Sequence, residues 1–252
     1  MNCSDRMRAT FNLNGGLYAP EESKYPEEQI YRRMSKSMVD GLYQQDGIEV
    51  AIHGFTHPWL DHMPVNMCTK ELMDDRQTLE KQFSRIVRGM AYPFGAYNDD
   101  VVAAMRSVGV VYSRTCQATH DFNMPNDWIR LPATCHHADP KLMELADRFL
   151  NENSWGRPWM FYLWGHSYEF DEQDNWKVIE DFVKLLAGRD NIWYATNIEI
   201  YDYQDAYKRL LFSMDGKIVT NPTAYELWYW MDDTVHSVKA GETVTNKLSK
   251  SI

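Results

Sequence analysis

Apolar residues along the 252-residue chain switch repeatedly between the two-residue period of a strand and the 3.6-residue period of a helix. Ala9–Leu13 opens as a short strand. Pro26-Glu27-Glu28 has the composition of a helix start, and Ile30, Tyr31, Met34, Met38 and Val39 recur at helical spacing up to Gly41. Ile48–Ile52 is a β-branched strand ending on His53. Thr69 is placed to cap a helix whose Leu72, Leu79, Phe83 and Ile86 share one face. Met90–Phe94 reads as a strand closed by Gly95. Asn98 reads as the cap of a helix that turns Val101, Val102, Met105 and Val108 inward and ends at Gly109.

The rhythm continues in the second half. Val110–Ser113 is a strand, followed by an irregular stretch to His137. Asp139-Pro140 opens a helix using Leu142, Leu145, Phe149 and Leu150, and Pro158–Trp164 is a strongly apolar strand. Trp176, Ile179, Val183 and Leu186 make a helix that Gly188 ends. Ile192–Thr196 then reads as a strand and Ile198–Leu211 as a helix. Six strands, each followed by a helix or a crossover of similar length, call for a parallel sheet, doubly wound or closed into a barrel. From Leu211 the pattern changes. Asp215-Gly216 between apolar flanks signals a hairpin, Ala224–Trp230 and Thr234–Val238 alternate as strands, and Lys247–Ile252 reads as loose. The organisation expected is a β/α domain over 1–211 and a small antiparallel β appendage over 212–252.

Charge and composition narrow the partners. With 26 basic against 36 acidic residues the formal charge is −10, which disfavours nucleic acid and anionic membranes. No run of 18 apolar residues provides a membrane span. The first thirty residues lack the basic-then-apolar layout of a secretory leader, so a cytoplasmic protein is the expectation for the chain as it stands. Cys3, Cys68, Cys116 and Cys135 form no CxxC pair, and free thiols are expected rather than a disulfide framework or a structural zinc site. Nine Trp, fifteen Tyr and ten Phe are many for this length, and rings not used in a core suit a sugar-binding cleft.

Four short segments can carry chemistry. His53-Gly54-Phe55-Thr56-His57 directly follows a strand, where α/β folds place functional loops. If the backbone turns helically there, both imidazoles share one face and suit a divalent metal. Eight histidines in this length give about 0.2 such pairs by chance, so the spacing alone is weak. Tyr92-Pro93-Phe94-Gly95 closes another strand, either as a plain βα turn or as a stiff one that aims a backbone N–H into a cleft. Trp164-Gly165-His166 ends the apolar strand. Its histidine is placed for general acid–base work or for a carbonyl hydrogen bond. His136 and His137 lie in the irregular stretch, as supporting groups or as surface residues.

In this order and spacing the residues resemble the polysaccharide deacetylases, the NodB-homology family also called carbohydrate esterase family 4. The resemblance runs from about Ala9 to Leu211. Ala9-Thr10-Phe11 with Asn14-Gly15 resembles the family's ATF strand, and the His53–His57 segment its H(S/T)xxH metal motif. Tyr92–Gly95 resembles RxPYG, and Trp164-Gly165-His166 the late motif with its histidine acid. The resemblance implies an α/β fold, a distorted parallel (β/α) barrel. It also implies a divalent metal, zinc first among transition metals, held by His53 and His57. The metal would polarise an acetyl carbonyl of an N-acetylated carbohydrate or small-molecule amide. His166 becomes the catalytic acid, and Tyr92, Pro93, Phe94 and Trp164 line the substrate site.

Two departures qualify the match. The family's arginine position holds Ala91, and Arg88 or Arg130 is left to supply the charge. The family also opens with an Asp-Asp strand and a helix, whereas only eight residues precede Ala9, and Asp5 does not sit where the family places the pair. Met1–Arg8 resembles the end of that helix. The expectation is therefore an incomplete barrel without its first β/α unit, with open edges that invite association and little activity as it stands. A catalytically inactive, carbohydrate-binding relative carries the same signs. A serine hydrolase of the α/β type is disfavoured because no GxSxG elbow occurs.

Overall fold

The computed structural model describes residues 7–246. The expected loose end Lys247–Ile252, Cys3, Asp5 and most of Met1–Arg8 lie outside them. The chain divides into two compact units, the first ending at Asn197 and the second starting at Ile198.

The first unit is α/β with a parallel central sheet, as the alternation predicts. Its strands β1 (Ala9–Leu13), β2 (Ile48–Ile52), β3 (Gly89–Ala91), β4 (Tyr112–Ala118) and β5 (Leu131–Ala133) lie side by side in chain order, all parallel. Among the described residues β1 and β5 are its two edges, and the sheet does not close. Helices α1 (Lys36–Tyr43), α2 (Val65–Phe83) and α3 (Asp99–Ser107) return the chain between β1 and β4. The core joins Val50, Ile52 and Met90 of the sheet to Leu72, Leu79 and Phe83 of α2 and to Val101, Val102 and Met105 of α3.

A second parallel pair, β6 (Cys135–His136) and β7 (Leu163–Trp164), carries its own core. There Cys135 and Phe122 meet Leu142, Leu145 and Ala146 of α4 (Leu142–Asn151). After β7 come α5 (Ser167–Glu172) and α6 (Lys177–Leu186), whose Phe182 and Leu186 join that cluster.

Several expected elements are displaced, each for a local reason. No helix starts at Pro26. α1 begins after Ser35, whose hydroxyl accepts the Met38 amide at 3.4 Å, and Gly41 falls inside it. α2 starts after Pro64 instead of at Thr69, whose hydroxyl is spent on the Val65 carbonyl at 2.8 Å. Asn98 does cap α3, accepting the Val101 amide at 2.9 Å. The strand expected over Pro158–Trp164 shrinks to β7. Ile192–Thr196 forms no strand, and its end is tied to β1 by the Asn197 amide donating to the Thr10 hydroxyl at 3.1 Å.

The second unit, from Ile198, holds the rest of α7 (Asn197–Lys208) and five short strands. These are β8 (Leu211–Phe212), β9 (Ile218–Thr220), β10 (Leu227–Met231), β11 (Thr234–Val238) and β12 (Thr243–Thr245), paired antiparallel as β8–β9–β12 and β10–β11. Leu227 and Tyr229 face its core beside Ala206, Leu210, Val219 and Val238. The Asp215-Gly216 turn joins β8 to β9, as the sequence predicts.

Candidate active site

His53 leaves the carboxyl end of β2 into a loop fixed from three sides. Asp75, on the apolar face of α2 and fully buried, accepts the amides of Gly15 at 2.7 Å and His53 at 2.9 Å. Asn14, just past β1, donates to the carbonyls of His53 at 2.8 Å and Gly54 at 2.7 Å. The segment is therefore a pinned turn and not the helical turn considered from sequence. It bends at Gly54 (φ 76°) and His57 (φ 55°), and the His57 amide closes on the Gly54 carbonyl at 3.2 Å. The left-handed backbone at His57 costs of order 1–3 kcal/mol, which the surrounding bonds offset. The turn brings the two imidazoles edge to face, with ring centroids 4.7 Å apart.

Ring chemistry follows from that packing. A carbonyl can only accept, so the 2.7 Å contact of His53 Nδ1 with the Ala91 carbonyl puts the hydrogen on Nδ1 and leaves Nε2 with a lone pair. Burial pushes the His53 imidazole down to about 3, and burial also lowers His57 from its ordinary value. Both rings are neutral donors at neutral pH, with the second nitrogen of His53 held by a carbonyl as in metal-ligating histidines. The donor set thus fits a divalent metal in kind, and supplies two ligands.

The Tyr92–Gly95 segment follows β3 as a tight turn. The amide of Tyr92 goes to the Arg114 carbonyl, that of Gly95 to Tyr92 and that of Ala96 to Pro93, while proline has none. The Phe94 amide is the turn's remaining donor. Phe94 itself (φ 58°) is half exposed, lies 4.5 Å edge-on from His57 and stacks on Trp59 at 4.1 Å and 5°. Tyr92 points the other way, into the core, where its hydroxyl donates to the Ile129 carbonyl at 2.8 Å. Pro93 is buried beside it.

β6 and β7 bring up the remaining residues. Trp164 pairs in register with His136, their rings 4.5 Å apart, and His166 follows at 5.7 Å from the Trp164 ring. His136, His137 and His166 surround a residue that the sequence reading missed, Glu169 in the first turn of α5. Its Oε2 accepts the His166 amide at 3.0 Å and lies 3.2 Å from His136 Nε2 and 3.3 Å from His137 Nε2. Its Oε1 lies 3.3 Å from His166 Nδ1. Burial lowers the pKa of both His136 and His137.

A second missed residue is Arg114. It pairs in register with Ala91, is 6 % exposed, and places its guanidinium 4.0 Å from the Trp164 ring centroid. Arg130 is instead bound to Asp99 at 2.8 Å and Asp127 at 2.9 Å. An arginine directly after the apolar strand Val110–Ser113 was the available signal, since arginine is almost never fully buried unless paired.

Residues 4–113 match the polysaccharide deacetylase family. No curated protein matches the chain. Among solved structures, a deacetylase from Streptococcus pyogenes in complex with acetate is 23% identical over 44% of this chain and 45% of its own, with a TM-score of 0.37. A polysaccharide deacetylase from Bacillus cereus is 19% identical over 52% of this chain and 38% of its own, with a TM-score of 0.42. A pseudoenzyme of carbohydrate esterase family 4 from Bacillus anthracis is 18% identical over 65% and 48%, at 0.38. The chain spans less than half the length of each. The resemblance to the polysaccharide deacetylases, of the NodB-homology kind, therefore stands on residues 4–113, the segment that holds His53, His57 and the Phe94 turn.

Proposed function

We propose that the chain is a metal-dependent deacetylase that hydrolyses the amide of an N-acetylated carbohydrate. The observation that carries this reading is the His53–His57 pair, pinned by Asp75 and Asn14 beside the Phe94 turn. His53 Nε2 and the His57 ring would hold the metal, with zinc the first candidate. When bound, it supplies Lewis acidity toward the carbonyl and makes water more acidic. The Phe94 amide would donate to the oxygen that gains charge. His166 donates the proton that the departing amine needs. Phe94, with Trp59 stacked on it, and Trp164 give the sugar ring apolar faces.

A second reading, a carbohydrate-binding protein without turnover, has one observation in its favour. Among the described residues no carboxylate groups with His53 and His57 as a third ligand, whereas catalytic zinc usually has three protein ligands. Acetate release from N-acetylated oligosaccharides, measured with zinc, cobalt, manganese or nickel, separates the two. The deacetylase reading expects metal-dependent release that His53→Ala and His57→Ala each abolish. Sugar binding without release under any metal selects the binding reading.

A further inference from the structure

His136, His166 and Glu169 are the one group of three in the described residues whose ligand atoms all lie within 4.8 Å of one another. They share no member with the His53–His57 pair. Metal–ligand bonds of about 2.1 Å in a tetrahedron set neighbouring ligand atoms about 3.4 Å apart. Two nitrogen–carboxylate distances already have that length, one to each oxygen: His136 Nε2 is 3.2 Å from Glu169 Oε2, and His166 Nδ1 is 3.3 Å from Oε1. A cation held by one Glu169 oxygen needs a small inward shift of the imidazole that now faces the other.

A second observation points to the same place. His166 Nδ1 and His137 Nε2 are buried atoms without a hydrogen-bond partner, although each stands 3.3 Å from a Glu169 oxygen. Orphaned buried nitrogens are rare in folded proteins, and an ion or a water is one way they are satisfied. A cation satisfies His166 Nδ1 directly. His137 is 3 % exposed and stays behind the carboxylate, where its Nε2–H can donate to Oε2, the support that ligating carboxylates usually have. Its place is reserved, because a Cβ on Gly165 would lie 1.8 Å from His137 Nδ1. One contact must change on binding. His136 Nδ1 now accepts the Ala138 amide at 3.2 Å, so coordination through Nε2 moves the ring hydrogen to Nδ1 and releases that amide.

We propose that His136, His166 and Glu169 form a second divalent-cation site, with the imidazole–carboxylate donor set that zinc-like ions favour, and that filling it inhibits the enzyme by occupying His166. The inhibition rests on the deacetylase reading above; the binding does not. The test titrates zinc, and cobalt for its visible absorption, into the chelator-stripped full chain. A His53→Ala/His57→Ala variant should retain one binding equivalent. Adding Glu169→Gln to that background should remove it, and adding His136→Ala should weaken it at least tenfold, with unchanged circular dichroism in each case. No binding by the His53→Ala/His57→Ala variant, or binding unaffected by Glu169→Gln, overturns the site. In the wild-type chain acetate release should rise and then fall with zinc, the fall tracking the second isotherm. A fall that does not track it overturns the inhibition. Absence of release at every zinc concentration counts against the deacetylase reading, while the isotherms still decide the cation site.

Discussion

Replacing Asp75 by asparagine should change the slope of stability against pH. Burial raises the Asp75 carboxyl from 3.8 to about 7, against the opposing pull of the Gly15, His53 and Gly54 amides. The folded protein therefore keeps a proton that the unfolded chain has released, and stability falls as pH climbs from about 4 to about 7. His53 acts in the opposite sense. Its imidazole is held neutral down to about 3, so the unfolded chain binds the extra proton below 6.5, and stability rises with pH over about 3 to 6.5. Each slope is about 1.4 kcal/mol per pH unit, and between pH 4.5 and 6.5 the two cancel. The Asp75→Asn side chain carries no titrating proton, which leaves the His53 slope uncompensated. The variant's unfolding free energy should then rise relative to wild type by about 2–3 kcal/mol from pH 4.5 to 6.5. The absolute stability of the variant does not enter, because the other lowered histidines are common to both chains. Urea unfolding followed by circular dichroism at five pH values, with chelator present, measures the difference. Parallel curves would show that Asp75 is ionised throughout that range and that its amide bonds outweigh its burial.

Two further substitutions test the cleft. Gly165→Ala places a methyl 1.8 Å from His137 Nδ1, so the buried ring must move. A loss of about 1–3 kcal/mol is expected, read as a lowered thermal midpoint, and an unchanged midpoint would show that His137 has room to spare. Phe94→Ala removes a half-exposed ring that touches His57 and Trp59. An aromatic contact of about 1 kcal/mol predicts a KM for N-acetylated oligosaccharide raised about fivefold with kcat within about twofold. A drop confined to kcat would mean that the ring aligns the turn and not the sugar.

The parts of the fold that were legible are those where one period dominates. β2 has its predicted bounds because a short β-branched run ends at a histidine-glycine turn, and the Asp215-Gly216 hairpin forms as its turn chemistry requires. The helix expected from Pro26 failed because a capping serine nine residues later set the start instead. β5 and β6 hid in the irregular stretch because strands of three and two residues show no period at all. The same limit hid Glu169, which sits on a six-residue helix and is defined only by what β6 and β7 bring to it. Asp75 was open to detection. It lies three residues after Leu72 and four before Leu79, on a face that is otherwise apolar, and a carboxylate there is almost never left without partners.

Ala91 stands where the resembled motif has an arginine, and the neighbouring strand shows how a positive charge returns. A parallel register sets Ala91 of β3 beside Arg114 of β4, so a cation lost from one strand can come from the next without leaving its layer. The guanidinium packs on Trp164 and adds a minor push to the burial that already disfavours protonation of His53 and His136. Glu169 does the reverse, gathering three histidines around a carboxylate that, against its burial, the His166 amide holds below its ordinary value. The strand ends thus carry two electrostatic regions. On the Arg114 side the His53 imidazole stays neutral, chiefly through its burial. Around Glu169 a single anion faces two buried nitrogens without partners, His137 Nε2 and His166 Nδ1, and an opposite charge there is favoured by the carboxylate.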